Sequence, residues 1–131
     1  MKHIFYHAAD QDGICAAAIV LEKHKDAVLH PINYHDDADE VVFPNISKND
    51  TVIMVDFSLK PFKNMIKLHK MCDQFFWIDH HSSAIKESIE CNFRTEGVTI
   101  DGVAGCVLSW LYFFPEKNTQ KMERVIYILI Y

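Results

Sequence analysis

The chain has no C-x-x-C pair, no apolar stretch long enough to cross a bilayer and no surplus of basic residues. Its four cysteines, Cys15, Cys72, Cys91 and Cys106, are scattered. They could close two disulfides, but Cys15 and Cys106 fall in apolar helical patterns. In a cored domain that favours reduced, buried thiols. A membrane-spanning helix needs about 20 apolar residues, and no such run is present. The opening Met1-Lys2-His3-Ile4-Phe5-Tyr6-His7 lacks the apolar core and cleavage site of a signal peptide. A cytoplasmic protein without a membrane partner is expected. Asp and Glu outnumber Lys and Arg by 18 to 13, for a net charge of -5. That excludes the basic footprint of a tight duplex binder. It does not exclude a phosphoesterase, whose carboxylate ligands are neutralised by bound cations. There is no internal repeat, low-complexity tract or linker. A chain of 131 residues, 50% hydrophobic, reads as one domain able to bury a core.

Strand and helix signals alternate, which predicts a doubly wound, mostly parallel α/β sheet with helices on both faces. Strands are expected over 3–6, 27–32, 51–55 and 75–78, with a short one near 92–95. Residues 13–25 read as a helix with Ile14, Ala17, Ala18 and Leu21 on one face, and Asp12 stands where an N-cap would. Residues 36–40 form a loop or short helix start, and 44–50 are turn-rich. Pro61 is placed to open a helix with Phe62, Met65, Ile66 and Leu68 as its apolar face, and Ser58 could cap it. Ser82-Ser83 start another helix, through about Ile89. Residues 97–105 read as a loop and 104–114 as a strongly apolar helix stopped by Pro115. The segment 120–131 looks helical and stays apolar to Tyr131. Such a face hints at self-association, and the chain looks cut there.

The chemistry sits where apolar runs end. His7, Asp10 and Asp12 follow Ile4-Phe5-Tyr6; Asp56 follows Val52-Ile53-Met54-Val55; Asp79-His80-His81 follow Phe75-Phe76-Trp77-Ile78. In an open parallel sheet the carboxyl ends of the strands border the ligand crevice. Asp10 and Asp12 point the same way in extended backbone, and Gly13 lets the chain bend into its helix. Any one cluster has an ordinary explanation: a capped loop, a turn-forming aspartate, surface histidines. Three clusters at three strand ends point to one site, and carboxylates mixed with imidazoles suit a divalent first-row metal.

His7-Ala8-Ala9-Asp10-Gln11-Asp12-Gly13, Val55-Asp56, Asp79-His80-His81 and the small-residue turn Gly102-Val103-Ala104-Gly105-Cys106 resemble, in order and spacing, the N-terminal domain of the DHH phosphoesterase superfamily. That superfamily includes RecJ-type exonucleases, nanoRNases, pAp phosphatases, cyclic-di-AMP phosphodiesterases and family II pyrophosphatases. The resemblance implies two Mn²⁺ ions, with Mg²⁺, Co²⁺ or Zn²⁺ as substitutes. By carry-over His7 and Asp10 hold one ion, Asp12 and His80 the other, and Asp56 bridges. Asp79 orients an imidazole, and His81 faces the substrate phosphoryl group. The implied activity is a phosphodiesterase or exonuclease on short or single-stranded nucleotides. A pAp-type phosphatase or pyrophosphatase is the runner-up.

The family's fourth motif, whose aspartate completes the second metal site, is not matched, and Asp101 does not occupy its position. A truncated domain without the superfamily's second domain is therefore expected, and a catalytically inactive metal- or nucleotide-binding module stays open. Other features read as structural. The acidic run 36–40 is a solvated loop, with His35 beside it able to approach the crevice. His24, His30 and His69 are surface or satisfied core residues, 110–114 is core, and Lys60, Lys63, Lys67 and Lys70 line a solvated helix face.

Overall fold

A computed structural model describes residues 1–116. The helix expected over 120–131, and the self-association face it would offer, lie outside them. The apolar runs form strands β1 (Lys2–His7), β2 (Val28–Ile32), β3 (Thr51–Val55), β4 (Gln74–Asp79) and β5 (Glu96–Thr99), all paired in parallel in the order β2-β1-β3-β4-β5. Five α-helices connect or follow them: α1 (Gln11–Lys23), α2 (Ala38–Val41), α3 (Lys63–Met71), α4 (Ser82–Glu90) and α5 (Gly105–Phe113). The result is the expected doubly wound α/β domain.

Side-chain alternation along each strand divides the core into two layers. Ile4, Ile53, Val55 and Ile78 pack with Ala16, Ala17 and Val20 of α1 and Cys106 and Leu108 of α5. Phe5, Val52, Met54, Phe75 and Trp77 face the other way, onto Met65 and Leu68 of α3 and Ala84 of α4. The central strands are apolar on both faces, as a parallel sheet covered on both sides requires. The chain leaves β1 for one face and β3 for the other. The loops after these adjacent strands diverge and open a crevice at the switch point of the sheet.

Five local expectations change. α1 buries Gly13, Cys15, Ala16, Ala17, Ile19 and Val20, while Ile14 is 52% exposed. The helix is wedged between sheet and α5, and small residues allow that approach. The fifth strand lies over Glu96–Thr99, not 92–95. α3 begins at Lys63 with no side-chain cap, so Pro61 lies two residues ahead of it and Ser58 does not cap it. Ser58 is instead buried between Phe57 and Leu59, and Lys60 precedes the helix. All four cysteines are free thiols, with Cys15 and Cys106 buried. Among the described residues no helix is long and apolar enough to cross a membrane.

Candidate metal centre

Each strand end delivers its polar side chains by a different local device. After β1, Asp10 caps α1, its Oδ1 accepting the Gly13 amide at 2.8 Å. The cap is Asp10 and not Asp12. Asp12 therefore sits inside the first turn, where its carboxylate accepts the Gly105 and Cys106 amides at 2.9 and 2.8 Å. The start of α5 thus donates two free helix N–H groups to an anion. Gly13 is needed for close approach: a Cβ there would lie 2.0 Å from the His7 carbonyl oxygen. After β3, Asp56 takes a left-handed φ of 56° while its amide donates to Ile78 O at 2.8 Å. A non-glycine residue in that region costs on the order of 1 kcal/mol or more and is often tied to function. After β4, Asp79 Oδ1 accepts the His80 amide at 2.8 Å and lies 2.6 Å from His81 Nδ1.

These devices bring all seven predicted residues to one crevice. His80 Nε2 lies 2.9 Å from Asp56 Oδ1 and 3.2 Å from Asp12 Oδ2. His7 Nδ1 lies 3.3 Å from Asp10 Oδ2 and 4.0 Å from Asp56 Oδ2. The 3.3 Å approach is an ion-pair distance without hydrogen-bond alignment, since His7 Nδ1 has no hydrogen-bond partner. Ligand atoms fall into two sets, each within 4.8 Å: His7, Asp10 and Asp56; and Asp56, Asp79, His80 and His81. Asp56 belongs to both. Asp12 reaches the second set through His80.

Electrostatics favour a cation here. Asp56 is fully buried, and burial, reinforced by the charges of Asp12, Asp10 and Asp79, pushes its carboxyl up to about 9. For Asp12 burial also pushes upward, but the Cys106 thiol and amide, the Gly105 amide and His80 outweigh it and hold the carboxyl below its ordinary value. The bond to Asp79 raises His81, against the downward pull of burial. His7 Nδ1, Asp56 Oδ2 and Asp79 Oδ2 are buried without hydrogen-bond partners, a costly state that a ligand relieves. Imidazole nitrogens and carboxylate oxygens converging on orphaned acceptors fit divalent metal ions.

One contributor was missed from sequence. Tyr34, in the turn after β2, sets its ring edge-on to His7 at 5.1 Å and to His81 at 6.4 Å and stacks on Phe57 at 4.4 Å. The strand-end rule applied to β2 would have found it. His35, by contrast, is 85% exposed at its side chain and faces Asp36. Asp101 is exposed.

The family model described as DHH family, N-terminal domain, matches residues 3–131. No curated protein and no solved structure matches the chain.

Proposed function

The chain belongs to the DHH family, and we propose that it is a Mn²⁺-dependent phosphodiesterase acting on short or single-stranded nucleotides. The observation that carries this reading is Asp56: one buried carboxylate shared by two sets of ligand atoms. In the proposed arrangement His7 and Asp10 hold one cation, Asp12 and His80 the second, and Asp56 both. When bound, two such ions acidify water and offset charge on a phosphoryl group.

The chain's own side chains supply the rest. Asp79, fully buried, fixes His81 through Nδ1 at 2.6 Å. A carboxylate only accepts, so His81 Nδ1 carries the proton in this bond and Nε2 is left for another partner. Because its pKa is raised, His81 can stay cationic and donate to a phosphoryl oxygen. The Gly105 and Cys106 amides keep Asp12 ionised and in place for a cation. Asp56 is held at the crevice by its complete burial and by His80 Nε2 at 2.9 Å from its Oδ1.

The test is Mn²⁺-dependent hydrolysis of a generic phosphodiester, short RNA, a nucleoside 3′,5′-bisphosphate and pyrophosphate. Preferential cleavage of the diesters is expected. Preference for the bisphosphate or pyrophosphate would replace this reading with a phosphatase or pyrophosphatase. Metal binding without turnover of any substrate would leave a metal- or nucleotide-binding module.

A further inference from the structure

We propose that Tyr34 is a positioning residue of the metal centre, its ring holding the His7 imidazole where no hydrogen bond does. This rests on the metal-centre reading and deepens it by naming what orients one proposed ligand.

A histidine that ligates a metal is ordinarily oriented by a hydrogen bond from its own ring. The three imidazoles of the crevice differ in this respect. His80 is held by Asp56 at 2.9 Å and His81 by Asp79 at 2.6 Å. His7 Nδ1 is buried without a hydrogen-bond partner, and Asp10, 3.3 Å away, is not aligned for one. What touches the His7 ring is aromatic. Tyr34 lies edge-on at a centroid distance of 5.1 Å, and Phe57 lies tilted at 5.8 Å. Both separations fall in the range of favourable ring pairs. A clamp of this kind fixes the ring without claiming Nδ1, which can face a cation bare while Nε2 carries the proton.

Tyr34 is itself fixed. The Ala8 amide donates to Ile32 O at 3.1 Å, tying the end of β2 to the chain leaving β1. The turn after β2 then closes on itself. Asp36 Oδ2 accepts the Asn33 amide at 2.8 Å, and the Asp36 amide donates to Asn33 O at 3.0 Å. Tyr34 stands inside that turn, and its ring stacks on Phe57 at 4.4 Å. Phe57 is 2% exposed and directly follows Asp56, so the wall behind Tyr34 is part of the core. The Lys60 ammonium, 4.8 Å from the ring centroid, adds a cation–π contact. Tyr34 also stands edge-on to His81, but at 6.4 Å, and His81 already has Asp79. The larger effect of the ring therefore falls on His7. The hydroxyl brings no charge, since burial and then Asp79, Asp56 and Asp10 oppose its ionisation.

The test compares wild type, Tyr34→Phe and Tyr34→Leu by calorimetric Mn²⁺ titration and by NMR relaxation of the histidine rings before metal is added. Tyr34→Leu should weaken Mn²⁺ binding by about tenfold, whereas Tyr34→Phe, which keeps the ring, should stay within about twofold of wild type. In wild type and Tyr34→Phe the His7 ring should be as ordered as that of His80. In Tyr34→Leu it should loosen while His80, held by Asp56, stays unchanged. A His7 ring more mobile than His80 in wild type overturns the proposal without any variant. So does a Tyr34→Leu protein with wild-type affinity. A Tyr34→Phe protein as weak as Tyr34→Leu would assign the effect to the hydroxyl and overturn the ring clamp. Loosening of His80 together with His7 would reduce Tyr34 to general packing and overturns it too. A wild type that binds no Mn²⁺ overturns the metal-centre reading instead, and the ring comparison still decides whether Tyr34 orders His7.

Discussion

Imidazoles and carboxylates are buried together at both ends of this sheet, and the two ends treat them in opposite ways. At the amino end Asp50 meets the Met1 ammonium at 3.2 Å and His3 Nε2 at 3.1 Å and accepts the Ser47 amide at 2.9 Å. His3 Nδ1 then meets His30 Nε2 at 2.9 Å. There the single carboxylate is surrounded by donors. At the carboxyl end Asp10, Asp12, Asp56 and Asp79 crowd around His7, His80 and His81, and three buried polar atoms lack partners. The difference shows in the acids themselves. Asp50 is held below its ordinary value, first by the Ser47 amide and then by the amino terminus and His3 against a smaller upward effect of burial. Asp56 is driven up by burial and by neighbouring carboxylates. A buried polar cluster that closes on itself belongs to the fold; one with surplus anion needs a cation from outside.

The sharpest way to break this contrast is Asp56→Ala. The loss of a carboxylate shared by both sets of ligand atoms should reduce Mn²⁺-dependent hydrolysis by about a thousandfold or more. A kcat/KM near wild type would remove Asp56 from the site. Asp56→Asn adds a second, opposite effect. Asn tolerates the left-handed φ and cannot ionise. Because the folded-state pKa of Asp56 is about 9, above about 3.9 for an unfolded chain, its stability contribution is full below pH ~4. It is lost progressively as pH rises toward 9. Metal-free Asp56→Asn should therefore be more stable than wild type at pH 8, by roughly 1–3 kcal/mol, and should lack that downward slope. Thermal melts with and without chelator across pH 5–9 check this. Equal slopes in the two proteins would mean that Asp56 is not the titrating group. The same proton must leave for a cation to bind, so Mn²⁺ affinity should rise with pH up to about 9.

His81→Gln tests the smaller, catalytic contribution of the same end. The variant keeps a polar group and leaves the proposed ligands untouched. It should lower kcat by about 10- to 100-fold, with Mn²⁺ affinity within a few fold of wild type. Loss of metal in step with activity would make His81 a ligand in place of a phosphoryl donor.

Much of this contrast could be read from residues before any coordinates. The runs Thr51–Val55 and Phe75–Ile78 specify central strands because burial on both faces demands continuous apolar sequence. Their ends mark the crevice because parallel strands all terminate at the same side. What escaped was decided by neighbours. β5 is an edge strand of intermediate burial over Glu96–Thr99, and it contains Gly97 because a Cβ there would lie 2.2 Å from the Trp77 carbonyl oxygen. A strand of that composition carries no apolar signal. Asp10 displaced Asp12 as the helix cap because amides 93 and 94 residues away claimed Asp12. Tyr34 stood in a turn whose relation to His7 and His81 exists only once β2 lies beside β1. The Asp50–His3–His30 chain was illegible for the same reason: its members are separated by 27 and 47 residues.

The smallest expected effect belongs to the amino end and isolates what kind of cluster it is. Asp50→Asn keeps the shape but removes the anion that faces the amino terminus and His3. Since the Asp50 pKa is depressed in the folded state, its contribution is present above the unfolded value of about 3.9 and is lost as pH falls through the folded value. The variant should melt a few degrees lower at pH 7, and the gap should close as the solution is acidified below pH 4. Mn²⁺ affinity and kcat/KM should stay within about twofold of wild type, because independent sites at a distance act additively. Urea or thermal melts at pH 3, 5 and 7, beside a metal titration, separate the outcomes. If Asp50→Asn weakens metal binding as strongly as it weakens the fold, the two ends are coupled through β1 and β3, and the division between a structural cluster and a functional one fails.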